Sequence, residues 1–375
     1  MQDVWSKRIV VGKSLTVYYL QSESEKCHNL FGKSKKSKDF KFASHLFLVK
    51  ENDVLVFGME CIVYKRLNKS IIFVAKVDSS GLGTHPASSS GLAASAIETV
   101  IDTQYKEGAV EVEVTLFAIS QGQYLFPESS ENGHKRVLSD SGLLHWWVKC
   151  LEMIRKDYNP DEEQINEAKE KKSSAEISSP VTDKHLAYMF VPGLPSLRSY
   201  LPNSFWKQGT AIQQGKAVDM IPRYPDDPKA RYLYELQDQR SEMSVAEFWD
   251  TLSFRQECCS GKLVGFYSLI LPRRLEKAEF PGNKTSGFGL VLPPKLYRII
   301  YDSLIKHSFR SPSIASQSTK TFLDETIAAI QRVDGFTMEK VAQTIDGNAQ
   351  PAPPKKREPE LSQTLNVLQP RKKKK

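Results

Sequence analysis

Five cysteines in 375 residues, none in a CxxC spacing, are too few and too scattered for a disulfide framework or a structural zinc site. A reducing compartment is the expectation. No apolar run approaches the roughly 18 residues that cross a bilayer, so no membrane span is expected. The first twenty residues interleave charge with strand-like alternation where an export signal needs an unbroken apolar block. GxGxxG, GxxxxGK[ST], HExxH and GxSxG are all missing, which removes the common nucleotide, metalloprotease and hydrolase signatures. The seven histidines have no metal-ligand spacing, so no metal is expected.

What the chain does have is positive charge, formally +8, but its location matters more than its sum. Residues 351–375 hold eight Lys or Arg against two Glu, and a second cluster sets Lys33, Lys35, Lys36, Lys38 and Lys41 against Asp39. Without these segments the body is close to neutral. It lacks the distributed basic surface of a dedicated DNA binder, and no sequence-specific nucleic-acid contact is expected.

The first third alternates as strands do over 9–20, 42–50, 54–65, 71–77 and 110–119, which predicts a substantial sheet. A small-residue loop, GLGTHPASSSG at 81–91, precedes a helix over 92–105; it could cradle a phosphate or serve as a linker. Ser139 to Ser141 offer N-caps for a helix with Leu144, Trp147, Val148, Leu151 and Ile154 on one stripe. Asp227 and Pro228 open another, and Ser244 with Glu247 form a capping box ahead of a third. That third helix feeds the strand-like KLVGFYSLIL, and two more helices are predicted at 294–307 and 319–333. These elements suggest one domain over 1–347 with a basic loop at 33–41, a polar insertion at 159–180, and a disordered basic tail over 348–375.

Two local features could carry chemistry. Asp226 and Asp227 are paired carboxylates at a helix start, an ordinary cap or a receiver for a substrate ammonium. Lysine, with a pKa near about 10.4, is almost wholly charged at pH 7 and must lose a proton before it can attack. Lys229 follows two residues later, as a surface lysine or a buried one open to self-acylation. Adjacent Trp146 and Trp147 point about 100° apart on a helix, so both cannot enter one core layer. The second indole covers a neighbouring element or walls a tunnel for an alkyl chain.

Five segments in order on one chain carry a resemblance: KVDSSG (76–81), QYLFPES (123–129), RVLSDSGLLHWWVKCL (136–151), RYPDDPKARYL (223–233) and FRQECCSGKLVGF (254–266). Together they resemble the fungal histone acetyltransferases of the regulator-of-Ty-transposition type, related in fold to the CBP-type coactivator enzymes. The R/QxxGxG/A loop of the largest acetyltransferase superfamily is absent, so that fold is not implied. The resemblance implies an α/β fold: a single domain with a central mostly antiparallel sheet flanked by helices, closing over acetyl-CoA. It assigns catalytic roles to Asp226, Asp227 and Asp78, reaction-centre aromatics to Trp147 and Tyr124, and self-acetylation to Lys229. Cofactor contacts are implied at Val77, Asp78, Ser79, Pro86, Ala87, Ser88, Ser89, Ser90, Phe117, Arg136 and Trp146. Trp147 stands where the CBP-type enzymes have a tyrosine, and indole is a poor proton donor, so positioning and desolvation would carry more of the rate.

The implied substrate is newly made histone three, in company with histone four. The resemblance points to a globular-core lysine near the place where DNA enters the nucleosome and to tail lysines. Implied partners are histone chaperones of the NAP type and the anti-silencing type, in replication-coupled nucleosome assembly and genome stability. A nuclear location follows, with the tail clusters 355–357 and 371–375 read as import signal and histone or chaperone contact. Two alternatives stay open on the sequence: a non-catalytic histone-binding or chromatin adaptor, and a nucleic-acid binder using the lysine clusters.

Overall fold

A computed structural model describes residues 2–32, 39–84, 87–158, 186–254, 261–272 and 288–350. Pro86, most of the 33–41 loop, the 159–180 insertion, Cys258, Cys259 and residues 351–375 lie outside the described residues.

The described strands are β1 Ser14–Ser22, β2 Glu25–Lys26, β3 Lys41–Glu51, β4 Val54–Arg66, β5 Lys69–Ser79, β6 Glu111–Ala118, β7 Leu186–Phe190, β8 Trp206–Gln208, β9 Gly265–Pro272, β10 Leu290–Leu292 and β11 Ala342–Asp346. They form one sheet in the order β10-β1-β3-β4-β5-β6-β9-β7-β8, with β11 on β1 and β2 on β3. Only β1–β10, β5–β6 and β7–β8 run parallel, so the sheet is mostly antiparallel as expected. β3 and β4 join through Asn52 and Asp53, where Asn52 takes a φ of 51° that Asn tolerates better than most residues.

Helices cover both faces, which is why β4 is buried at consecutive positions rather than alternately. On one face lie α1 Gln2–Ser6, α2 Ser89–Lys106 and α3 Asp140–Tyr158. Ala93, Ala94 and Ala96 of α2 are fully buried, and a leucine at any of them would overpack this layer by about 1–3 kcal/mol. The other face carries α4 Ala217–Met220, α5 Pro228–Asp238 and α6 Val245–Leu252 beside β6 and β9. There α7 Pro294–Leu304 and α8 Pro312–Ile330 pack on β1, β3 and β4, and α9 Met338–Val341 leads into β11.

Several boundaries differ from the sequence expectation. β1 begins at Ser14 rather than Ile9, because Gly12 turns the chain at φ 77° and Ile9 pairs with Ala87 instead. α8 begins seven residues earlier than predicted, at Pro312, whose missing N–H costs nothing at a first helical position. Asn348 and Ala349, assigned to the tail on composition, donate backbone N–H groups to the carbonyls of Ser6 and Ile9 and so belong to the described body.

Candidate active site

The parallel pairing of β5 with β6 stops at Phe73 opposite Thr115. Beyond it β5 stays with β4, and β6 stays with β9, so the two strands splay apart. A cleft of about 2020 Å³ opens at this point. It gathers residues from four separate stretches: Val77, Asp78 and Ser79 on β5; Ala87 and Ser89 at the start of α2; Trp146 and Trp147 on α3; and Asp226 and Asp227 before α5. Phe117, Tyr124 and Arg136 line it as well.

The predicted small-residue loop divides in two. Its end is the first turn of α2: Ser88 Oγ accepts the N–H of Gly91 at 3.1 Å as the cap. Ser90 is buried and does not line the cleft. Ser89 does, and its Oγ accepts the Trp146 Nε1 hydrogen bond at 3.0 Å. Trp147 is buried, with its ring edge-on to Trp146 at 4.7 Å between centroids. One indole therefore joins the core while the other closes on the start of α2.

Asp78 is an organiser. Its Oδ2 accepts the backbone N–H groups of Tyr124, Leu125 and Phe126 at 2.7, 2.9 and 3.1 Å. Its Oδ1 accepts the N–H of Ser79 at 2.8 Å and the Lys135 ammonium at 2.7 Å. Every lone pair is directed at the loops that frame the cleft, so this carboxylate shapes the site. Tyr124 donates its hydroxyl to the Ile119 carbonyl at 2.6 Å, and burial pushes its pKa above the usual phenol value.

The two acids have different surroundings. Asp227 caps α5, accepting the Lys229 N–H at 3.0 Å on Oδ1, and its Oδ2 is paired with the Lys229 ammonium; the carboxylate is closed to solvent. Asp226 adopts a left-handed φ of 56°, which turns its side chain outward, 79 % exposed, to lie 3.7 Å from Lys76 Nζ. Asp226 is thus the acid of the pair that faces the open cleft. Lys229 itself lines a neighbouring cavity of about 50 Å³ with Tyr224, Trp249 and Phe266, rather than the cleft. Its Nζ stands 4.6 Å from the Tyr224 ring centroid, and burial lowers its pKa to about 7.

Sequence patterns did not flag Lys76, Glu60, Tyr297, Tyr301 or Tyr224, all of which line the cleft. Tyr301 meets Lys76 across 225 residues of chain, and no local pattern encodes such a meeting. For Tyr224, two residues before the paired acids, proximity to them was the available signal.

The cleft fits a long thioester coenzyme. The start of the eighteen-residue α2 and Arg136 suit phosphate. Val77, Phe117, Trp146 and Trp147 suit an alkyl arm, and the unpaired edges of the splayed strands suit its amides.

Splayed parallel strands, an open carboxylate and a coenzyme-sized cleft on this sheet make the setting an acyl-transfer enzyme needs. The family model for the histone acetyltransferase KAT11-type domain matches residues 1–105 and 87–325. The chain is 51 % identical over 375 residues to the histone acetyltransferase rtt109 of Schizosaccharomyces pombe, covering 100 % of this chain and 99 % of the relative. It is 30 % identical to rtt109 of Aspergillus flavus over 318 residues, 72 % of this chain and 56 % of that one. In structure it is similar to Rtt109 from Aspergillus fumigatus, with a TM-score of 0.73 and 24 % identity, covering 93 % of this chain and 99 % of that one. The chain belongs to the KAT11-type family of histone acetyltransferases, together with the rtt109 enzymes. It is an acetyltransferase acting on histone, with acetyl-CoA as co-substrate. Among the described residues no cluster of His, Cys, Asp or Glu could hold a metal ion.

Proposed function

We propose that this enzyme acetylates newly made histone three, at a globular-core lysine near the place where DNA enters the nucleosome and at tail lysines. The histone arrives as a dimer with histone four on chaperones of the NAP and anti-silencing types, in the nucleus, during replication-coupled assembly. The observation that carries the catalytic part of this reading is the shared cleft of Asp226, Asp227, Trp146, Trp147 and the start of α2.

Acetyl-CoA supplies an acetyl thioester as acyl donor. Ser89, Trp146, Arg136 and the edge of β5 at Val77 to Ser79 would hold it, with Ala87 close by and Ser88 and Ser90 keeping the helix start in shape. Phe117, Tyr124 and Trp147 flank the reacting groups and exclude water, raising the weight of every charge within. Asp226 receives the lysine ammonium and accepts its proton on the way to solvent; the free amine then attacks the thioester carbonyl directly, the C–S bond breaks, and coenzyme A leaves as the thiol with the second proton lost by the amine nitrogen. Trp147 offers no acidic proton, so orientation and dryness carry most of the rate. Asp227 holds the turn in place through its cap and its pair with Lys229. Lys229, already easily deprotonated, is the site of self-acetylation.

The test is mass spectrometry of histone three, in complex with histone four, incubated with enzyme and acetyl-CoA with and without each chaperone. Acetyl-CoA-dependent gain on histone three, stimulated by chaperone and lowered at least tenfold by Asp226→Asn, is the expected result. No gain on chaperone-bound histone would overturn it.

A further inference from the structure

Beside Asp226 in the cleft stands a polar cluster to which the mechanism above gives no work. Lys76 is its centre. A bulge in the β4–β5 ladder, where Glu60 pairs with Lys76 but Cys61 pairs with Val74, leaves Ala75 unpaired immediately before it. Bulges of this kind re-aim the neighbouring side chain. Here Lys76 Nζ donates to Tyr301 Oη at 2.8 Å, on α7, and lies 3.7 Å from Asp226 Oδ2. Beneath it Glu60 accepts the Tyr297 hydroxyl at 3.4 Å.

The charges work against one another. Burial alone would lower the Lys76 pKa, but the hydrogen bond to Tyr301 and the charges of Glu60 and Asp226 outweigh it, leaving the value above that of an ordinary lysine. Lys76 is therefore a cation at neutral pH. Burial raises the Glu60 pKa, Lys76 pulling the other way, and burial with the Glu60 charge pushes Tyr301 up to about 12. Lys295, Arg298 and Asp302 of α7 and Arg231 of α5 also line this part of the cleft.

A carboxylate standing alone at Asp226 would attract a lysine ammonium and, by the same attraction, keep it protonated. Such a site would bind substrate in the unreactive form. A fixed cation beside the carboxylate removes most of that bias, because a like charge facing the incoming ammonium disfavours its charged form. We infer that Lys76, anchored by Tyr301 and Glu60, is a positioning residue that directs Asp226 and lowers the proton affinity of the substrate amine. The inference rests on Asp226 being the acid that meets the substrate. No covalent step is added: the proton leaves the ammonium for Asp226 and passes to water.

The experiment measures kcat and KM against pH for the full chain with acetyl-CoA and a histone-three peptide carrying one lysine. Wild type, Lys76→Met, Lys76→Arg, Tyr301→Phe and Asp226→Asn are compared, and thermal melts check folding. In Lys76→Met the acidic limb of the kcat profile moves up by about one pH unit, so that kcat near neutrality falls about tenfold. KM for the peptide stays level or falls, since binding of the ammonium is helped. Lys76→Arg restores the limb to its wild-type place, and Tyr301→Phe, which removes only the hydroxyl that Lys76 donates to and leaves Lys76 in the chain, moves it in the same direction as Lys76→Met by about half as much. A Lys76→Met limb that does not move, or a loss equal at every pH and not rescued by Arg, overturns the inference. If Lys76→Met does not fold, a Tyr301→Phe limb that does not move overturns it. Unchanged turnover in Asp226→Asn would instead sink the reading beneath it.

Discussion

Lys229 and Asp227 are joined side chain to side chain, both buried, with the Tyr224 ring centroid 4.6 Å from Lys229 Nζ. The bond links the first turn of α5 to the small cavity behind the cleft. It makes the turn that presents Asp226 dependent on a buried lysine.

Stability should therefore depend on pH through Lys229. Its folded pKa of about 7 lies below the ordinary 10.5, so between these values the unfolded chain carries a proton that the folded chain does not. Stability contributed by this group is lowest below pH 7 and rises across the window. Over this window, denaturant titration should show wild type gaining stability relative to Lys229→Met as the pH rises. Parallel curves for the two proteins would contradict this assignment.

The same amine should acetylate itself. Intact-mass measurement of enzyme with acetyl-CoA and no histone should show a single added acetyl group, absent in Lys229→Arg, at a rate that climbs as pH passes through about 7 and then levels. A rate still climbing steeply at pH 10 would mean an ordinary exposed lysine is the acceptor.

Asp226 and Asp227 should separate in mutagenesis. Asp226→Asn, at an exposed position, should leave the unfolding free energy within about 0.5 kcal/mol of wild type while turnover falls at least tenfold. Asp227→Asn keeps a capping residue but breaks a buried pair, and should cost about 3 kcal/mol as well as activity. Equal melting points for the two variants would refute the division of roles.

Asp78→Ala should behave as the loss of a frame. Four backbone N–H groups and the Lys135 ammonium lose their acceptor, a penalty of about 3 kcal/mol or more, with KM for acetyl-CoA rising more than kcat falls. A variant of wild-type stability and low kcat alone would make Asp78 a participant in the chemistry.

Trp146→Phe removes the hydrogen bond to Ser89 together with the pyrrole half of the indole, and keeps one six-membered aromatic ring. The expected result is a roughly fivefold higher KM for acetyl-CoA with kcat little changed, matching about 1 kcal/mol for one hydrogen bond. A change in histone KM with acetyl-CoA KM untouched would place Trp146 on the other substrate.

Much of this protein follows from the chain read locally. Helix starts at Asp227, Ser244 and Ser139 are written in residues two to four positions apart, and caps act over that distance. Runs of β-branched and aromatic residues between polar turns marked the long strands, although β3, β4 and β5 are buried on both faces and so do not alternate strictly. The neighbouring acids and the tandem indoles were visible locally too, as was the resemblance carried by five short segments. Strands of three to five residues such as β7, β8 and β10 were not, since they are too short for a period to show.

Tertiary structure alone decided the rest. Only the sheet sets where β5 leaves β6, and hence where the cleft opens. Backbone conformation at Asp226 turned one acid outward and left its neighbour to a buried lysine. Lys76 met Tyr301 because a bulge in one strand and the docking of a distant helix brought them to one wall. Such contacts depend on long-range packing, and their energy exists only once the whole sheet has formed.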